Sequence, residues 1–131
     1  MTVHSAWWRV RRDELLAVAR ERCPVCVYNE EIINEIFFDM LSVEAIVRLF
    51  YPVPINPYLA IVRKAHEMGA GLQYTSSAEG KRLLDHIPGL ASQRLLFSPE
   101  APSQEDYTFA FDRGDWVLVD DPAHISAYPG V

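Results

Sequence analysis

The chain has 131 residues, half of them apolar, 11% aromatic and 23% charged, with twelve basic against eighteen acidic side chains and a formal net charge of -6. That is a globular profile, not a disordered one; the length suits one domain and falls short of the about 250 residues of a complete (β/α)8 barrel. The acidic balance offers no footprint for nucleic acid, and Arg9, Arg11 and Arg12 adjoin Asp13 and Glu14 as on a solvated helix face. No apolar run reaches about 18 residues, so no membrane span is expected. The opening MTVHSAWWRVRR lacks the apolar segment of a secretory signal, which predicts a cytoplasmic address.

Taken in order, Leu15, Leu16, Val18 and Ala19 predict a helix over about 7–22, which Cys23-Pro24 ends. Val25 to Tyr28 reads as a short strand. Cys23 and Cys26 form C-P-V-C, but a redox pair of this kind usually opens a helix, and a zinc site needs a second ligand pair. The four histidines are scattered at 4, 66, 86 and 124, so no metal site is expected and the thiols read as ordinary buried or half-buried ones. Ile32, Ile33, Ile36, Phe37 and Met40 then stripe a second helix over about 29–41.

A regular beat follows. Apolar strand-like runs begin near Leu49, Leu72, Leu95 and Trp116, spaced by about 21 to 23 residues. Helix-start signals sit between them: Asn56 with Pro57, Ser76 with Glu79, and Ser103 with Asp106. Gly69, Gly89 and Gly114 are the matching stops. Strand, helix, glycine, strand is the repeat of a parallel sheet. The predicted fold is therefore α/β: a half TIM-like barrel of about four parallel βα units over 49–131, preceded by a helix, short strand and helix over 1–48, all in one domain.

The order of motifs also resembles a known family. Pro24-Val25-Cys26-Val27-Tyr28 is similar to the "TP-x-YVY" segment of the pyridoxal-phosphate (PLP) decarboxylases with an alanine-racemase-like barrel. Phe50-Tyr51-Pro52-Val53-Pro54-Ile55-Asn56 resembles their first barrel strand, "F-Y-A-V-K-A-N". Gly69 to Glu79 resembles "G-x-G-F-D-V-V-S-x-G-E", and 94–99 and 116–120 resemble the third and fourth strands. Within the family, the pattern is most similar to the diaminopimelate decarboxylases of lysine biosynthesis. The Trp7-Trp8-Arg9-Val10-Arg11-Arg12-Asp13 run resembles the version fused behind an aspartate kinase.

The resemblance implies an amino-acid decarboxylase in which a lysine holds PLP as a Schiff base. That lysine falls at Pro54, which has no amine. The only lysines, Lys64 and Lys81, fall on predicted helices away from the strand ends where such sites assemble. The family's strand-two aspartate is Gln73, and its following glutamate is Glu79, preceded by Ala78 in place of glycine. Gln73 and Glu79 are thus the cofactor-side positions that the resemblance leaves, although Ser76 with Glu79 reads equally as a helix cap. The ring-stacking histidine, the phosphate loop and the acid facing the pyridine nitrogen belong to later parts of the family fold. His124 and the Asp120-Asp121 pair do not replace them, the acids reading as a turn with Pro122.

The expectation is a truncated decarboxylase relative, inactive alone and without bound PLP, with no catalytic residue assigned. The alternative is a non-catalytic binding or assembly module, either a homo-oligomer that closes a barrel or a subunit docked on a full-length relative. A response-regulator domain fits poorly, because strand one ends in Ile55-Asn56 and no late lysine follows. Pro52 and Pro54 also predict that strand one lies on a sheet edge, since neither offers an N–H to a ladder.

Overall fold

A computed structural model describes residues 6–127. Two short helices, α1 (Trp7–Val10) and α2 (Arg12–Glu21), meet at Arg11, where one helix was expected, and neither contributes a buried residue. α3 (Glu30–Leu41) is capped by Asn29, whose side chain accepts from Ile32 N at 3.1 Å. Then follow β1 (Phe50–Pro52), α4 (Leu59–Met68), β2 (Gly71–Tyr74), α5 (Ser77–His86), β3 (Leu95–Phe97), α6 (Gln104–Arg113), β4 (Trp116–Val117) and α7 (Pro122–Ala127). The four strands form one parallel sheet in the order β1-β2-β3-β4, as the strand beat predicts.

The strands are short and sharply two-faced. Leu72 and Tyr74 on β2 and Leu95 and Phe97 on β3 are fully buried beneath the helices, in one cluster with Val62 and Ala65 of α4, Leu83 of α5 and Ala110 of α6. Strand side chains alternate, so Phe50, Pro52, Gln73, Leu96 and Trp116 lie on the face opposite this cluster. At its β1 end, Phe50 and Pro52 line an apolar cleft with Ile33, Ile36 and Met40 of α3. The aromatic core is interlocked: Tyr74 lies 5.3 Å from Phe97, and Phe97 meets Tyr107 edge-on at 5.5 Å.

Gly80 lets α5 come close to this core. A Cβ there would stand 2.6 Å from Phe109 Cε1 and 3.0 Å from Tyr74 Cε2. Gly80→Ala is therefore expected to lower stability by about 1 to 2 kcal/mol in chemical denaturation, although alanine is the better helix former by about 1 kcal/mol.

Several local expectations need correction. Residues 25–28 form no strand: no main-chain hydrogen bond joins 24–28 to another segment among the described residues. A strand exists only against a partner, and none is alongside. Cys23 and Cys26 are consequently exposed free thiols, not buried ones. Asn56 does not cap α4. Its Oδ1 accepts from Tyr58 N at 3.2 Å, closing a turn on its own backbone, and the helix starts at Leu59. Gly69 and Gly114 are left-handed caps with φ of 110° and 72°, whereas Gly89 stands beyond the helix end at His86, in the turn toward β3. Asp121 does not merely turn the chain; its Oδ1 accepts from Ala123 N at 2.8 Å in the first turn of α7. No helix among the described residues is long and apolar enough to cross a membrane.

Candidate functional site

In parallel βα architectures, chemistry gathers at the carboxyl ends of the strands. Here β1 gives way after three residues to a 3-10 turn, Val53–Ile55, whose φ range matches the fixed φ of Pro54. Gly71 N donates to Leu49 O at 2.8 Å, so by alternation Leu49 and Tyr51 face β2 while Pro52 turns its nitrogen to the free edge. Pro54 is exposed in the 3-10 turn, past the end of the strand. It presents a ring with no donor, acceptor or nucleophile.

At β2, Gln73 projects from the face opposite the Leu72–Tyr74 core and is half-buried. Glu79 is buried in the first turn of α5, on the helix side, where it lines a cleft with Val53, Val62 and Leu83. Its Oε2 accepts from Thr75 N at 2.9 Å, and Ser76 Oγ accepts from Glu79 N at 3.3 Å. Glu79 therefore ties the β2–α5 turn together. Gln73 and Glu79 stand on opposite sides of the sheet and do not converge.

The strongest polar construction at these strand ends is Asp106. Its Oδ2 accepts from Ser103 N at 2.9 Å and from Ser103 Oγ at 2.6 Å, completing the expected capping box of α6. Its Oδ1 accepts from Ser77 N at 2.7 Å, the first residue of α5. One carboxylate thus caps two helices. Partial burial alone would raise its pKa, but the hydrogen bonds from Ser103 and Ser77 outweigh burial and hold it down at about 2.

The lysines are committed elsewhere. Lys64 on α4 pairs with Glu30 at 3.0 Å and Glu67 at 3.6 Å, and the hydrogen bond and charge of Glu30 raise its pKa. An amine held protonated is not a nucleophile. Lys81 on α5 pairs with Glu105 at 3.1 Å on the protein surface. Among the described residues no group of three or more His, Cys, Asp or Glu side chains could hold a metal ion. The residues present do not fit covalently held PLP.

No family model and no curated protein matches the sequence. Solved structures do. Ornithine decarboxylase from Entamoeba histolytica aligns over 92% of this chain and 39% of its own, with a TM-score of 0.68 and 22% identity. Diaminopimelate decarboxylase from Helicobacter pylori complexed with L-lysine aligns over 89% and 29%, with 0.66 and 18%. Lysine/ornithine decarboxylase from Vibrio vulnificus complexed with putrescine aligns over 86% and 31%, with 0.68 and 16%.

The fold is that of part of a TIM-like barrel, the part that aligns in each of these structures. The chain spans 29% to 39% of the length of these enzymes. At this level of identity the likeness concerns the fold, and the residues must carry any further statement. Sequence reasoning missed the double role of Asp106, whose capping box is a local signal while its bond to Ser77 crosses 29 positions.

Proposed function

We propose that this polypeptide is a relative of the barrel decarboxylases, nearest in motif order to those acting on diaminopimelate in lysine biosynthesis, that does not itself decarboxylate amino acids. The observation that carries this reading is the end of β1, where the position matching the family's lysine is Pro54 in an exposed 3-10 turn. Two further facts support it. Both lysines are ion-paired on helices, and neither Gln73 nor Glu79 stands with the other at a strand end. Gln73 and Glu79 keep positions by resemblance, without a cofactor for them to hold.

The test is direct. Purified protein supplied with PLP and diaminopimelate, lysine, ornithine or arginine is expected to release no CO2 above the rate of free PLP. Turnover above that background would overturn the reading.

The companion reading is a non-catalytic binding or assembly module, a homo-oligomer or a subunit docked on a full-length relative.

A further inference from the structure

We propose that Cys23 and Cys26 form a reversible dithiol–disulfide site, oxidised by small anionic disulfides such as oxidised glutathione. The proposal does not depend on the decarboxylase reading, and it needs no surface to cover it. The two thiols are free, exposed and three positions apart in C-P-V-C. Exposure is what a thiol needs to meet a soluble oxidant. The pair follows a helix and does not open one, so it lacks the setting that makes such a motif an oxidant of other proteins. It is placed to be oxidised itself.

Backbone freedom lets the ring close. A disulfide holds its Cα atoms about 4.4 to 6.8 Å apart, whereas three extended residues span about 10 Å. The chain already bends over 22–24, and 24–28 carries no main-chain hydrogen bond to another segment among the described residues. On one side of the pair stands α2, which buries no residue and can turn with it. On the other, Tyr28 is held to the domain. Its hydroxyl accepts from Asn56 Nδ2 at 3.1 Å, and its ring stacks on Tyr58 at 5.7 Å. Closing the ring therefore re-aims α1 and α2 and leaves the sheet and its core in place.

Charge selects the oxidant. Arg20 and Arg22 precede Cys23 with a single acid, Glu21, between them, and neither guanidinium is ion-paired among the described residues. In a chain of net charge -6 this is a locally basic stretch, which attracts an anionic disulfide and gives a cationic one no advantage.

The exchange runs in two steps. One cysteine thiolate attacks a sulfur of oxidised glutathione, forms a mixed disulfide and releases one glutathione. The other thiolate then attacks the protein-side sulfur, closes Cys23 to Cys26 and expels the second glutathione. The protein gives up two electrons and two protons, and oxidised glutathione takes them up as two glutathione molecules.

The test uses the full chain, reduced, freed of reductant, and then given oxidised glutathione or the cationic disulfide cystamine. With oxidised glutathione both thiols are expected to disappear and the mass to fall by about 2 Da, with no glutathione retained. Peptide mapping is expected to join Cys23 to Cys26, and excess reduced glutathione to restore both thiols. Cystamine is expected to react about 3-fold more slowly or less readily still at low salt. Cys23→Ser and Cys26→Ser each stop at a mixed disulfide with glutathione on the remaining cysteine, and far-ultraviolet circular dichroism verifies that both variants stay folded. Thiols that remain free, a mixed disulfide that persists in the unsubstituted protein, disulfide-linked dimers, or a faster reaction with cystamine would each overturn the proposal.

Discussion

Tyr74→Ala is expected to remove about 3 to 5 kcal/mol of stability, enough to unfold most of a marginal domain of this size. Tyr74 is fully buried at the centre of the aromatic core, between Phe97 and Phe109, so truncation leaves a large void. Its hydroxyl donates to Asp115 Oδ2 at 2.8 Å. Burial, reinforced by that carboxyl, raises the hydroxyl pKa, so the proton stays in place to donate. Tyr74→Phe keeps the ring and removes the donor, and a loss of about 1 to 3 kcal/mol is expected. Denaturant titrations of the two variants separate packing from hydrogen bonding. Near-equal losses would mean that the ring is not held as described.

Asp115 is the less comfortable partner. Its side chain is wholly buried, Oδ1 has no hydrogen-bond partner among the described residues, and Arg113 Nε lies 3.4 Å from Oδ2. Burial raises its pKa against the pull of Tyr74 and Arg113. A raised folded value means that folding favours the protonated acid, so this contribution is present at low pH and is lost as pH climbs past the ordinary carboxyl range.

Asp106→Ala is expected to cost about 2 to 3 kcal/mol, roughly twice an ordinary capping loss, because α5 and α6 both lose an N-terminal acceptor. Its pH signature has the opposite sign to that of Asp115. With a folded pKa of about 2 against an ordinary 3.8, the carboxylate stabilises fully above about pH 4 and loses its effect as pH falls toward 2. Allowing for solvent at this half-buried site, the window holds about 1 to 2 kcal/mol. Asp106→Asn keeps an acceptor but cannot titrate. Its stability is expected to be flatter between pH 4 and 2 than that of the parent protein, measured by denaturation at each pH. An unchanged slope would assign the acid sensitivity to another group.

The parts legible from the sequence are those that short-range chemistry decides. The Ser103–Asp106 box, the left-handed caps at Gly69 and Gly114 and the beat of four strands need only neighbours within one element or one repeat. Val25 to Tyr28 has the residues of a strand but not the partner, and sequence carries no record of whether one lies alongside. Asn56 had two local acceptor roles, helix cap or turn, and Pro57 after it did not decide between them. The Tyr74–Asp115 bond joins residues 41 positions apart, and no periodicity announces it. At the candidate site, Pro54 and its place after strand one could be read from the sequence, while only the fold reveals that Gln73 and Glu79 do not converge.

The central claim, that these residues offer PLP no amine at a strand end, is tested most directly by borohydride reduction and peptide mapping. Protein incubated with PLP and then reduced is expected to keep its unmodified mass under conditions that trap a catalytic Schiff base. Stoichiometric reduction onto Lys64 or Lys81, with release of CO2 from an amino acid before the trap, would contradict the account.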